Sequence, residues 1–139
     1  LKRGGSGEEE ENLKNLAKEL DIKDSVNFIP RTNAVSFYYE SSSIYCLPSQ
    51  TEGLPLVVIE AMAFGLPIVA FNCSPGVKQF VEHKENGFLC EQNNIEEMVK
   101  GLDLLINNPE LYQQMSDKSR LMSEDYGIEK IIEEWKGIL

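Results

Sequence analysis

The chain has 139 residues, of which 42% are apolar and 26% are charged, an ordinary composition for one soluble globular domain. Its 13 basic and 23 acidic residues give a formal net charge of −10. Such a surface repels phosphate backbones, and no basic cluster is interleaved with aromatic residues, so the sequence argues against nucleic-acid binding. No run of about 18 apolar residues occurs, and we therefore expect no transmembrane segment.

The cysteines and the first residues bear on cellular context. Cys46, Cys73 and Cys90 lie in apolar stretches without a Cys-x-x-Cys or Cys/His pairing. This arrangement favours buried, reduced thiols over a metal site and is consistent with a cytoplasmic protein. The chain begins at Leu1 without an initiator Met or an apolar signal segment, so we expect a piece cut from a longer protein.

Helical and strand patterns alternate from the start of the chain. A glycine-rich turn at 4–7 precedes apolar residues at helical spacing over 8–20, and the four glutamates at 8–11 suit the positive end of a helix dipole. A short strand is predicted at 26–29, and a helix at about 34–40.

The middle of the chain continues the alternation. Strands are predicted at 44–47, 67–71 and 88–90. One helix is predicted at about 55–64, and a second, short helix follows the loop at 72–76 and runs through Val81. From residue 94 onward the pattern is helical, ending in a tail over about 110–139 that includes the apolar stripe around Trp135. Residues 1–139 are therefore predicted to form one α/β domain, with a parallel sheet and helices on both faces.

Two loops are candidates for a binding site, at 49–55 and 72–76, because ligands of doubly wound sheets bind beyond the carboxyl ends of the strands. In the first loop, Gly53 lacks a Cβ and allows close approach of a ligand to the backbone. The free N–H groups of Gly53, Leu54 and Leu56 lie at or just before a predicted helix start, aimed where an anion would sit. Pro55 donates no hydrogen bond and suits the first helical turn.

Two carboxylates flank this loop. Glu52 precedes it, and Glu60 lies about one and a half turns into the helix. Carboxylates accept hydrogen bonds from adjacent hydroxyls, and the loop between the two glutamates offers N–H groups to an anion. This order of carboxylate, N–H groups and carboxylate matches the order of sugar, diphosphate and ribose in a nucleotide sugar. The spacing alone leaves a plainer alternative open, two solvated glutamates around an ordinary helix start.

The segment EGLPLVVIEAMA at 52–63, followed by Gly65-Leu66-Pro67, resembles the E-x7-E signature of the group 1 retaining glycosyltransferases. Further resemblances to that family occur in the same order along the chain: Gly5-Ser6-Gly7-Glu8 resembles its G-x-G-x-E turn, and similar segments are the strand end at 47–49, an N-G-x-L turn at 86–89 and a helix junction at 108–111.

The resemblance implies a GT-B fold, in which two Rossmann-like domains face each other, and this chain is similar to part of the C-terminal, donor-binding domain. It implies that Glu52 binds hydroxyls of the transferred sugar, that the backbone of Gly53, Leu54 and Pro55 lines the sugar-phosphate region, and that Glu60 binds the ribose. The domain is then truncated on its N-terminal side, and the N-terminal GT-B domain is missing.

The resemblance also implies a reaction: transfer of a sugar from a UDP- or GDP-sugar to a glycan or lipid-linked acceptor, with retention and without a metal or other cofactor. Arg31, in the loop at 30–32, is similar in position to residues near the base. Glu52 is the one catalytic candidate, and nucleophilic and front-side mechanisms both remain open. The full-length protein is expected in the cytoplasm, with peripheral association at the inner membrane face as an option.

Two departures from the family matter. The Arg and Lys that neutralise the diphosphate lie upstream of Leu1, so the isolated segment is predicted to be inactive. Gln79 stands where the family often has a Glu. The alternative function is a non-catalytic nucleotide-sugar-binding or scaffolding domain. A dinucleotide-binding domain is disfavoured because no x-x-Gly follows Gly5-Ser6-Gly7, and His83 is expected to be an exposed loop residue.

Overall fold

The computed structural model describes residues 1–4, 7–127 and 130. These residues belong to two compact units, Leu1–Phe37 and Tyr38–Leu139. The predicted helix over 128–139, with its Trp135 stripe, lies outside the described residues apart from residue 130.

The first unit is a β-α-β arrangement. Strand β1 (Lys2–Gly4) is followed by helix α1 (Glu10–Glu19), a 3₁₀ turn (Lys23–Ser25) and strand β2 (Asn27–Ile29), and β1 pairs in parallel with β2. The sequence did not predict β1, because its charged residues and terminal glycine lack the β-branched pattern of a strand. The expected turn at 4–7 is therefore wrong at Gly4, which belongs to β1.

Helix α1 carries the predicted acidic start, and Lys14 lies 2.7 Å from the Glu10 carboxylate one turn earlier. The Lys14 pKa is raised, chiefly by its hydrogen bond to Glu10. Ala17 is buried, whereas Leu16 and Leu20 are about half exposed. Helix α2 (Val35–Glu40) spans the division between the units.

The second unit contains a three-stranded parallel sheet in the order β3-β4-β5, formed by Tyr45–Leu47, Ile68–Phe71 and Gly87–Cys90. Tyr45 is opposite Ile68, and Ile68 is opposite Gly87. Its helices are α3 (Leu56–Ala63), α4 (Pro75–Phe80), α5 (Ile95–Asn107) and α6 (Pro109–Glu124). These strands and helices lie within a few residues of their predicted positions.

Strand β4 is buried on both faces and separates two clusters of core residues. Ile68 and Ala70 pack in the cluster that includes α3 and α4, whereas Val69 and Phe71 pack in the cluster that includes α5 and α6. Because successive side chains of a strand point to opposite faces, helices cover both faces of the sheet. The predicted α/β, Rossmann-like layering is confirmed for this unit.

Polar side chains fix the starts of three helices. Ser74, Asn94 and Asn108 each accept a hydrogen bond from the backbone N–H three residues later. Helix α3 ends at Ala63 and is followed by Gly65, whose φ of +73° suits glycine and whose carbonyl accepts a 2.7 Å bond from Ser116 Oγ of α6. In the described part of the chain, no helix is long and apolar enough to cross a membrane.

The Asn86-Gly87 turn is a buried structural junction. Asn86 is fully buried, donates to the Phe80 carbonyl (2.9 Å) and accepts from the Glu82 N–H (2.9 Å). A Cβ on Gly87 would lie 1.9 Å from the Ile68 carbonyl oxygen, so β4 and β5 approach closely there. The turn therefore joins the end of α4 to the central strand.

Candidate functional site

The loops that follow β3, β4 and β5 lie at one edge of the second unit. The strands are parallel and adjacent, so their carboxyl ends meet at that edge. The loop at 48–55 joins β3 to α3, the loop at 72–74 joins β4 to α4, and the loop at 91–94 joins β5 to α5. Both loops that the sequence predicted as candidates are at this edge.

The first loop packs against the start of α4 through backbone. A Cβ added to Gly76 would lie 1.9 Å from the Gly53 carbonyl oxygen and 3.4 Å from Leu54 Cα. A Cβ added to Gly53 would have no atom within 4 Å. One side of the Gly53-Leu54 backbone is therefore held by Gly76, and the space next to Gly53 is open.

The start of α3 contains a tight turn centred on Pro55, with φ −76° and ψ 82°. In this inverse γ-turn geometry the Leu56 N–H donates to the Leu54 carbonyl at 2.9 Å. The prediction that the Leu56 N–H is free for an anion is therefore wrong, because Pro55 closes the turn around it. Within the described residues, the N–H groups of Gly53 and Leu54 donate no hydrogen bond.

Glu60 lies on the exposed side of α3 and receives a hydrogen bond from a buried phenol. Tyr39 Oη donates to Glu60 Oε2 at 3.0 Å, and the Tyr39 ring stacks on Phe64 at a centroid distance of 5.5 Å. Burial, followed by this hydrogen bond, raises the pKa of Tyr39 well above its ordinary value. The phenol therefore stays protonated and acts as a donor at neutral pH.

The phenol of Tyr45, in β3, is affected by the charges of both glutamates. Burial raises the pKa of Tyr45 to about 12, and the charges of Glu52 and then Glu60 add to the shift. Both carboxylates thus act on one phenol, as expected if they share a face of the unit. In the part of the chain that the structure describes, no lysine or arginine forms an ion pair with either carboxylate.

The loop after β5 supports the loop that carries Glu52, a contact that the sequence did not predict. Gln92 Nε2 donates to the Gln50 carbonyl, and Gln50 Nε2 donates to Asn93 Oδ1, both at 2.7 Å. Asn93 adopts φ +66°, which asparagine tolerates better than most residues. The only sequence signal was a polar run after a strand, which is common to many loops.

The remaining predicted residues belong to the first unit or have structural contacts. Arg31 is exposed in the first unit, after β2, and its role near a base stays a prediction. The Gln79 carbonyl accepts a bond from Tyr126 Oη at 3.2 Å. His83 is exposed, as predicted. Its Nδ1 accepts a hydrogen bond from the backbone N–H of Leu89 in β5. Among the described residues, no group of three or more His, Cys, Asp or Glu side chains is arranged to hold a metal ion.

The parallel sheet, its covering helices and the glutamate-flanked loop at its carboxyl edge define a Rossmann-like domain with a candidate ligand site. The sequence model of the glycosyl transferases group 1 family matches residues 4–122. The chain belongs to this family.

Two relatives and one solved structure illustrate the similarity. A glycosyltransferase of Haemophilus influenzae is 95% identical over 139 residues, which are 100% of this chain and 39% of that protein. The GalNAc-α-(1→4)-GalNAc-α-(1→3)-diNAcBac-PP-undecaprenol α-1,4-N-acetyl-D-galactosaminyltransferase of Campylobacter jejuni is 29% identical over 94% of this chain and 36% of its own length.

A crystal structure of a TarM variant from S. aureus, in complex with fondaparinux, α-GlcNAc-glycerol and UDP, superposes with a TM-score of 0.89. The identity is 29%, over 98% of this chain and 28% of that one. The chain thus spans well under half of the length of each of these proteins, and all three similarities extend over nearly all of it.

Proposed function

We propose that the full-length protein containing this chain transfers a sugar from a nucleotide diphosphate sugar to a glycan or lipid-linked acceptor, with retention of anomeric configuration. In this proposal the chain supplies the half-site that binds the donor. The observation that carries it is the open space next to Gly53, where the N–H groups of Gly53 and Leu54 donate no hydrogen bond within the described chain, in a loop flanked along the sequence by Glu52 and Glu60.

Each part of the donor has a matching group. The N–H groups of Gly53 and Leu54 bind phosphate oxygens, Pro55 sets the turn that exposes them, and Glu60 accepts hydrogen bonds from the ribose. Glu52 accepts hydrogen bonds from the transferred sugar and stabilises developing positive charge there. We favour this electrostatic role for Glu52 over a nucleophilic one. Arg31 is proposed to contact the base.

The diphosphate carries about two negative charges, which two backbone N–H groups do not neutralise. The net charge of −10 adds to the repulsion of the diphosphate. We therefore propose that cations upstream of this chain complete the donor site, and that a second GT-B domain supplies the acceptor site. Leu54 and Leu56 are both more than half exposed, which supports a covering partner domain at this face.

The choice of donor and acceptor follows the relatives. The TarM complex contains UDP, and the C. jejuni relative is named for a PP-undecaprenol acceptor. UDP- or GDP-sugars are the proposed donors. A lipid-linked acceptor fits a cytoplasmic enzyme that associates peripherally with the inner membrane face. The reaction is proposed to need no metal or other cofactor.

A transfer assay tests the proposal against its alternative. Full-length protein is incubated with a panel of UDP- and GDP-sugars and glycan or polyprenyl-diphosphate acceptors, and nucleoside diphosphate release and the anomeric configuration of the product are measured. We expect one donor to be consumed with retention. Binding of a nucleotide sugar without turnover across the panel would favour the non-catalytic scaffolding domain instead.

A further inference from the structure

Tyr39 is a buried donor whose hydroxyl reaches an exposed carboxylate. Its side chain is 8% exposed, and the acceptors near its hydroxyl are Glu60 Oε2 at 3.0 Å and the Val57 carbonyl at 3.5 Å. A phenol has one proton to donate. The carboxylate is closer and charged, so it is the oxygen that accepts the hydrogen bond.

The ring that carries this hydroxyl is fixed by packing. It stacks on Phe64 with an interplanar angle of 25°, and the Tyr45 ring lies 6.0 Å away. The Glu60 side chain is exposed and, within the described chain, has no ion pair. An exposed glutamate samples several rotamers, so the bond from a fixed phenol selects among them.

We propose that Tyr39 is a positioning residue of the donor site, whose hydroxyl holds one carboxylate oxygen of Glu60 and leaves the other free for the ribose hydroxyls of the nucleotide. This inference rests on the proposed function, because Glu60 must be the ribose ligand. Tyr39 is buried and acts through Glu60 without touching the nucleotide. A carboxylate with one oxygen engaged still has lone pairs for two neighbouring hydroxyls.

A substitution that removes only the hydroxyl tests this role. Tyr39→Phe keeps the ring that packs on Phe64, and Tyr126→Phe is the matched control, since it also removes one hydroxyl hydrogen bond, to the Gln79 carbonyl. The full-length protein is titrated with UDP and GDP and with their 2′,3′-dideoxyribose analogues. Thermal unfolding of each variant verifies that it is folded.

The expected result is selective for the ribose. Tyr39→Phe should weaken binding of the cognate nucleotide about three- to tenfold, the range for one hydrogen bond, and leave the dideoxy analogue unchanged. The double variant Tyr39→Phe/Glu60→Gln should bind no more weakly than Glu60→Gln, because the hydroxyl acts only through that carboxylate. Tyr126→Phe should bind as the wild type does.

Two results would overturn the inference, and they differ from failure of the proposed function. If Glu60→Gln weakens binding and Tyr39→Phe does not, the donor site stands and the positioning role is wrong. If Tyr39→Phe weakens binding of the nucleotide and binding of its dideoxy analogue equally, the Tyr39 hydroxyl has only a structural role. If Glu60→Gln itself leaves binding unchanged, the assignment of Glu60 to the ribose fails first.

Discussion

Gly53 and Gly76 are in backbone contact, yet their missing side chains have different consequences. The space next to Gly53 is open, whereas Gly76 packs on the Gly53 carbonyl. Gly53 has no positive φ, so alanine fits its backbone. The pair therefore separates an effect on ligand binding from an effect on folding.

Gly53→Ala should leave stability within about 0.5 kcal/mol of the wild type, as for a surface substitution without a clash. Its methyl group would occupy the space proposed for the sugar phosphate, so nucleotide affinity should fall about tenfold, or roughly 1.4 kcal/mol. Urea unfolding and calorimetric titration of the full-length protein measure the two effects. Unchanged affinity in the folded variant would mean that no ligand approaches this backbone.

Gly76→Ala should lower the free energy of unfolding by about 1–3 kcal/mol, since a methyl group 1.9 Å from a carbonyl oxygen forces the backbone to move. The Gly53-Leu54 segment should shift with it, so nucleotide affinity should fall as well. The same two measurements apply. Stability equal to that of Gly53→Ala would contradict the close packing of the two loops.

The candidate site is readable from the sequence only in part. Loop position and spacing single out Glu52, Gly53, Pro55 and Glu60 as candidates, because carboxylates and a glycine around a helix start suit a polar ligand, and their roles stay predictions. The engagement of the Leu56 N–H was not predictable, because it depends on the ψ of Pro55. Nor was the Tyr39–Glu60 bond, which joins residues 21 apart on two helices.

At the scale of elements, Asn86 links the end of α4 to the sheet and to α6. Its side chain binds the backbone of Phe80 and Glu82, and its carbonyl accepts bonds from the Ile68 N–H and from Ser119 Oγ. The sequence marked Asn86-Gly87 only as a turn. In the structure the turn is a buried node that holds three elements together.

Asn86→Ala should destabilise the protein by about 2–4 kcal/mol, since each buried polar group left unpaired costs about 1–3 kcal/mol. Asn107→Ala is the control, because Asn107 is exposed and its side chain donates to the Asp103 carbonyl within α5. Urea unfolding monitored by circular dichroism compares the two. A loss below 1 kcal/mol for Asn86→Ala would mean that water replaces the side chain at little cost.

The elements themselves were largely predictable. Strand β4 was recognised from its continuous apolar run, α4 from the loop that leads into it, and α5 and α6 from apolar residues at helical spacing after residue 94. Strand β1 was missed because it is defined by its backbone pairing with β2 and has no residue pattern typical of a strand. Short strands of this kind depend on a partner that the local sequence does not reveal.

At the scale of the whole molecule, net charge and chain length bear on whether this chain alone can transfer a sugar. It has a net charge of −10 and covers 39% of the H. influenzae relative, while the proposed donor is an anion. The chain alone should therefore transfer no sugar, and the full-length protein should. Assaying both with the donor panel tests this, and turnover by the isolated chain would show that the donor and acceptor sites are complete within it.

Glu60 and the Gly53-Leu54 backbone are proposed to bind a nucleotide sugar. The most direct test is calorimetric titration of the full-length protein with UDP and GDP, for the wild type, Glu60→Gln and the exposed control Glu110→Gln. We predict saturable binding of one nucleotide, weakened about tenfold or more by Glu60→Gln and unchanged by Glu110→Gln. Failure of the full-length wild type to bind either nucleotide, or equal affinity in Glu60→Gln, would contradict the claim.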